Sequence, residues 1–117
     1  MKTRGAAEAI RAALTAADIR VFYLGQSVDP PAVVIVPPLV TWNLPMSDPS
    51  EAQFGLALVV PDDEQMVLTL IDYIQRVGEA LDASEHEFSM KQAAPGVFPG
   101  NPGELPAYRI QIEVALT

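Results

Sequence analysis

Between Glu51 and Ala83 the chain changes its hydrophobic period once, across a single proline, and that switch limits the folds open to it. Phe54–Val60 reads Phe-Gly-Leu-Ala-Leu-Val-Val, with apolar or small residues on both alternating sets. A short two-sided run of this kind predicts a central strand covered on both faces. Pro61 has no N–H for a sheet ladder, so the strand is expected to stop there. Val67, Leu70, Ile71, Ile74, Val77 and Leu81 then recur at helical spacing and define one apolar face. Asp62 is placed as the N-cap, with Gln65 completing a capping box and Asp63 and Glu64 in the first turn, where the helix dipole favours negative charge. Asp72 and Arg76 are four apart on the polar side and are expected to pair. Gly78 interrupts the helix at a cost of about 1 kcal/mol relative to alanine, and the helix is expected to end near Ala83 and Ser84. A core strand and a core helix account for the whole stretch, and it carries no visible chemistry.

The flanking segments fit around this pair. Residues 3–17 predict a first helix whose stripe is Ala6, Ile10, Ala13, Leu14 and Ala17, small enough for close packing; Asp18 breaks it. Ile19–Leu24 predicts a strand ended by Gly25, and Asp29-Pro30-Pro31 an extended connector. Val33–Val36 is the next strand, stopped by Pro37-Pro38, and Leu39–Leu44 a further extended piece. Residues 43–50 read as a loop with Met46 near its tip. Glu85–Gln92 alternates weakly, as a strand would. Residues 93–107 hold Pro95, Pro99, Pro102 and Pro106 with three glycines, a density that predicts a long loop. Tyr108, Ile110, Ile112, Val114 and Leu116 alternate with polar residues and predict a strand buried on one face, paired antiparallel with 85–92. The expected fold is α+β: one domain over residues 1–117, a mainly antiparallel sheet with two helices packed on it, in the order α-β-β-β-α-β-β.

Composition narrows the function classes. With no cysteine, disulfides, thiolate metal sites and cysteine nucleophiles are excluded. No apolar run is long enough to span a bilayer and no signal-peptide core follows Lys2 and Arg4, so a soluble intracellular product is expected. Fifteen acids against seven bases give a net charge of −8, which argues against a nucleic-acid grip. Apolar residues make up 50% of the chain, an excess that a second subunit often covers.

A search for catalytic patterns gives little. His86 is the single histidine and reads as a surface residue, with no ligand spacing around it. The Asp62-Asp63-Glu64 cluster is better explained as a helix start than as a cation site. No phosphate-cradling glycine loop precedes a helix, and no serine sits in a nucleophile motif. The chain is therefore expected to be no enzyme and to need no cofactor. The positive signals are apolar or turn residues in or beside loops: Trp42, Met46, Val97, Phe98, Pro99 and Asn101 are the expected subunit or partner contacts. For Phe98, between two proline turns, exposure to a partner and packing on its own core are equally supported.

Laid end to end, these motifs resemble a family. An alanine-rich helix and a strand precede Pro-Pro-Ala-Val-Val-Ile-Val-Pro-Pro (30–38) and Leu-Val-Thr-Trp (39–42). The apolar strand, the Asp-Asp-Glu-Gln helix start and a terminal Tyr-Arg-Ile-Gln-Ile-Glu-Val follow. This layout resembles the tail terminator proteins of long-tailed bacteriophages, especially those of actinobacterial hosts, over nearly the whole chain. The resemblance rests on layout and loose motifs, without a signature residue. It implies a virion protein that closes as a ring, usually six-membered, on the head-proximal end of the tail tube. It also implies contacts with the tail tube protein and a neck or head-completion protein, and DNA passing through the lumen without specific binding. Assembly would occur in the host cytoplasm. Other head–tail connector or tail-tube-related proteins remain alternatives, as does a small non-viral binding module.

Overall fold

The computed structural model describes residues 2–43, 49–100 and 103–116. The first helix, α1 (Thr3–Ala16), is followed by four strands: β1 (Val21–Tyr23), β2 (Ala32–Ile35), β3 (Leu39–Thr41) and β4 (Glu51–Val59). Helix α2 (Met66–Asp82) comes next, then β5 (Phe88–Gly100) and β6 (Gly103–Ala115). The six strands make one sheet in the order β1-β2-β4-β6-β5, with β3 also on β4. Every pairing is antiparallel except β1 with β2. This is the α+β arrangement expected, with the extended piece after Pro38 resolved as a strand of its own.

The register explains the two faces. β2 pairs with Leu56–Val59, and β3 continues along the same edge of β4 at Glu51–Gln53. Even-numbered β4 residues Ala52, Phe54, Leu56 and Leu58 therefore share a face with Val33, Ile35, Ile110, Ile112 and Val114, and both helices cover it. Ala6, Ile10 and Leu14 from α1 and Val77, Ala80 and Leu81 from α2 close this core. Each large aliphatic side chain buried there contributes about 1.5–3 kcal/mol.

The opposite face carries no helix. Its buried cluster is small, Val34, Ala57, Val59 and Ala107, flanked by Val28, Phe98 and Leu105. β4 is thus covered on both sides only toward its C-terminal end; Gln53 is exposed and Gly55 half-buried. Val28 belongs to the connector 24–31, which returns the chain to the start of a parallel strand. Strands of three and four residues are roughly 10–13 Å long at about 3.3 Å per residue, so a short return suffices. Arg20 donates to the Asp29 carboxylate across that connector at 2.6 Å.

Both helix boundaries have local causes. α1 closes in a Schellman pattern: Ile19 N–H donates to Leu14 O at 3.0 Å and Asp18 N–H to Thr15 O at 3.0 Å. Asp18 takes the left-handed position at φ 62°, which aspartate tolerates better than most residues. The start of α2 differs from expectation. The helix begins at Met66, with Gln65 at its N-cap, so Asp62 is not the cap and no capping box forms. Asp63 acts instead one turn earlier: its carboxylate accepts from Gln65 N–H at 2.9 Å and its carbonyl from Met66 N–H at 3.2 Å. An Asx turn satisfies the local donors there in place of the helix. Arg76 does not turn to Asp72. It donates to Ala17 O at 3.2 Å, neutralising the C-terminus of α1, and lies over the Tyr73 ring at 4.6 Å.

The largest correction concerns residues 85–107. The strand begins at Phe88, not Glu85, and runs through the proline-rich segment to Gly100, so 93–99 and 103–107 are a paired ribbon and not a loop. Prolines are tolerated because β5 is an edge strand. Pro95 and Pro99 are four apart, which puts both nitrogens on the same edge of β5, and one edge has no partner. Pro106 accepts from Val60 N–H, so its own nitrogen points to the β4 side, where β4 has already ended. A register shift between Met90 and Gln92 bends the ribbon.

Candidate interaction surface

Sheet register fixes where exposed side chains gather. β4 and β6 pair from Glu51↔Ala115 to Val59↔Ala107. Past that point β5 and β6 continue alone, from Val97↔Pro106 to Gly100↔Gly103, as an arm beyond the sheet. The molecule is accordingly drawn out, 49 × 28 × 21 Å.

Three of the expected contact residues lie on this arm. Val97 is 47% exposed and Pro99 is exposed, whereas Phe98 packs partly against Val34, Ala57, Val59 and Ala107. Phe98 thus packs partly on its own domain and still presents a side to a groove. The three residues line this groove of about 360 Å³ on the helix-free face with Val36, Gly55 and Gln111. Gly55 lies in its floor, and Gly96 lies beside the lining residue Arg109. A Cβ on Gly55 would meet Val36 Cγ2 at 2.6 Å, and one on Gly96 would meet Arg109 Nε at 3.3 Å. Arg109 thus lies across Gly96 along the groove. Nearby on the same face Lys91 pairs with Glu113 at 3.8 Å.

Trp42 sits at the other end of the strands. It follows Thr41, which pairs with Glu51 at the far end of β4, and it is 52% exposed. Ser50 ties that end together: its N–H donates to Thr41 O at 2.9 Å and its carbonyl accepts from Leu116 N–H at 2.9 Å. The nine residues of β4 separate Trp42 from the arm by roughly 25–30 Å at about 3.3 Å per residue. Met46 and Asn101, the remaining expected contacts, lie outside the described residues.

Sequence reasoning missed a third surface. Val67 and Ile71 were placed on the buried stripe of α2, yet they are 57% and 49% exposed, and Leu68 beside them is 61% exposed. α2 is fully buried only at Val77, Ala80 and Leu81; Leu70, Tyr73 and Ile74 pack partly against the core, and Val67, Leu68 and Ile71 stand outside it. Leu68, an apolar residue outside the stripe, was the available signal. Leu39, also exposed, stands on the helix-free face by register with Gln53, and exposed Leu24 follows the end of β1.

Nothing among the described residues groups three or more histidine, aspartate or glutamate side chains around a common point. His86 is half-buried in the turn before β5; its N–H donates to Ser84 Oγ at 3.2 Å and its ring stands 6.0 Å from that of Phe88. No helix among the described residues is long and apolar enough to cross a membrane. Neither the family models nor the curated proteins searched contain a match to the chain.

Proposed function

We propose that this chain is a structural virion protein that closes as a ring on the head-proximal end of a phage tail tube, ends tube growth and joins the tail to the neck. The sequence resemblance raises this reading, and one structural observation carries it. Exposed apolar side chains stand at both ends of the strand axis, Trp42 at one and Val97 with Pro99 on the arm at the other. A cap between a tube and a neck needs two such ends on every subunit, and a body between them for its neighbours. The prolines stiffen the arm, which lowers the entropy lost when it docks. A net charge of −8 per subunit gives any ring of copies a negative field, which keeps DNA from adhering as it passes. The same surfaces serve a head–tail connector equally well, and ring symmetry separates the two.

A second reading has one observation in its favour. The groove beside the arm has the volume of a small-molecule site, with Arg109 and Gln111 as polar groups. In that case the protein is a small binding module.

Light scattering and negative-stain images of the purified protein, alone and with tail tubes, decide between them. Rings, or tube ends capped by the protein, support the virion reading. A stable dimer that leaves tube ends bare removes it in favour of the binding module.

A further inference from the structure

The exposed apolar residues of α2 have a counterpart elsewhere on the same chain. Val67 and Ile71 share a side of the helix with Gly78, and a Cβ on Gly78 would sit 3.6 Å from Met90 Sδ. This side therefore faces the β5 edge, away from α1. Glu79 and Asp82 line this side with Gly78 and Met90, and the segment 62–87 as a whole holds eight acids and the one base Arg76, a net −7 of the chain's −8. Arg76 is turned away, toward the C-terminus of α1.

The opposite flank has the opposite sign. Residues 2–29 hold Lys2, Arg4, Arg11 and Arg20 against Glu8, Asp18 and Asp29, a net +1, with Arg20 already paired to Asp29. Arg4, Glu8 and Arg11 line a shallow groove of about 550 Å³ with Ala7, Ala12 and Tyr23, one positive charge in excess. Arg11 lies over the Tyr23 ring at 5.6 Å, at the β1 edge of the sheet. Arg4 is paired only with Glu8 of its own helix, in an exposed contact at 3.0 Å that is readily exchanged. β1 and β5 end the strand path β1-β2-β4-β6-β5, so the acidic and basic flanks stand at opposite sides of the sheet.

We infer that the α2 flank of one copy, with Val67, Leu68 and Ile71 at its centre, docks on the Arg4–Arg11–Tyr23 groove of a second copy. Two acidic flanks repel, so a two-fold contact through α2 is disfavoured and the head-to-tail contact is selected. Apolar side chains leave water while the acids around them meet guanidinium groups. A head-to-tail contact repeats from copy to copy, which supplies the side-by-side joint that a ring requires. The inference itself needs only the two flanks and stands apart from the virion reading.

Sedimentation velocity over a concentration series tests it. The wild type is expected to self-associate, with affinity falling about tenfold or more between about 0.05 and 0.5 M NaCl. Val67→Ser with Ile71→Ser is expected to leave the thermal melt in place and remove association. Asp62→Lys, Glu64→Lys, Glu79→Lys and Asp82→Lys together turn residues 62–87 from a net −7 to +1 and keep the Asp63 turn; Arg4→Glu with Arg11→Glu makes both flanks acidic. Each alone is expected to be monomeric, and an equimolar mixture to assemble again with the two alternating. A wild type monomeric at every concentration and salt overturns the inference. So does association that survives both reversals, or a mixture that stays monomeric. A protein that caps tail tubes while failing these tests keeps the virion reading and loses this contact; one that passes them and leaves tubes bare does the reverse.

Discussion

Both helices are amphipathic at the same period, and their apolar stripes meet different fates. On α1 the stripe Ala6, Ile10 and Leu14 is wholly buried against the sheet. On α2 the stripe is buried at Val77, Ala80 and Leu81 and open at Val67 and Ile71, half a helix away. Periodicity records which side chains prefer to leave water, and it is silent on whether the fold brings them a partner. On α1 the domain supplies that partner. On α2 it does so for Val77, Ala80 and Leu81 and in part for Leu70, Tyr73 and Ile74, while Val67, Leu68 and Ile71 stay exposed.

That contrast is open to measurement, beginning where the effect is greatest. Ile10→Ala removes a buried side chain from the α1 stripe and is expected to cost about 2–5 kcal/mol in urea unfolding. A loss below about 1 kcal/mol, the range of a surface change, erases the distinction between the helices. Gly55→Ala sharpens the companion contrast between the two faces of the sheet. Its new Cβ meets Val36 Cγ2, 2.6 Å away with a stiff β-branched side chain, and about 1–3 kcal/mol of stability is expected to go. Gly78→Ala has the opposite sign. Its Cβ finds Met90 Sδ at an ordinary 3.6 Å, and the helix gains about 0.5–1 kcal/mol, read as a higher melting temperature. Smallest is Ile71→Ser, expected within about 0.5 kcal/mol of wild type in dilute solution. A loss on the scale of Ile10→Ala would make Ile71 a core residue and remove the reason to seek a partner for α2.

Much of the fold was legible because its signals are local. The α1 stripe, the Asp18 stop, the apolar run of β4 and the alternation of β6 each depend on residues within one element. The ribbon at 93–107 was not legible for a definite reason. Proline and glycine density reports what an interior strand cannot tolerate, and only the tertiary arrangement reveals that β5 is an edge. The cap of α2 failed similarly: Asp62 and Gln65 have capping-box spacing, but the Asx turn at Asp63 satisfies the same donors earlier. Of the expected contacts, Trp42, Val97 and Pro99 are exposed, while Phe98 folds back because the ribbon carries it over Val59 and Ala107.

The sequence by itself determined the α+β class, the two amphipathic helices, the core residues of the central strands and the concentration of acid between 62 and 87. These follow from side-chain chemistry at fixed local spacing. Only the tertiary structure decided which apolar residues found a partner within the domain. It also decided that both helices lie on one face, and that the acidic and basic flanks stand on opposite sides. Those are facts about distance between residues far apart in the chain, and they depend on strand order and register, which no local period encodes.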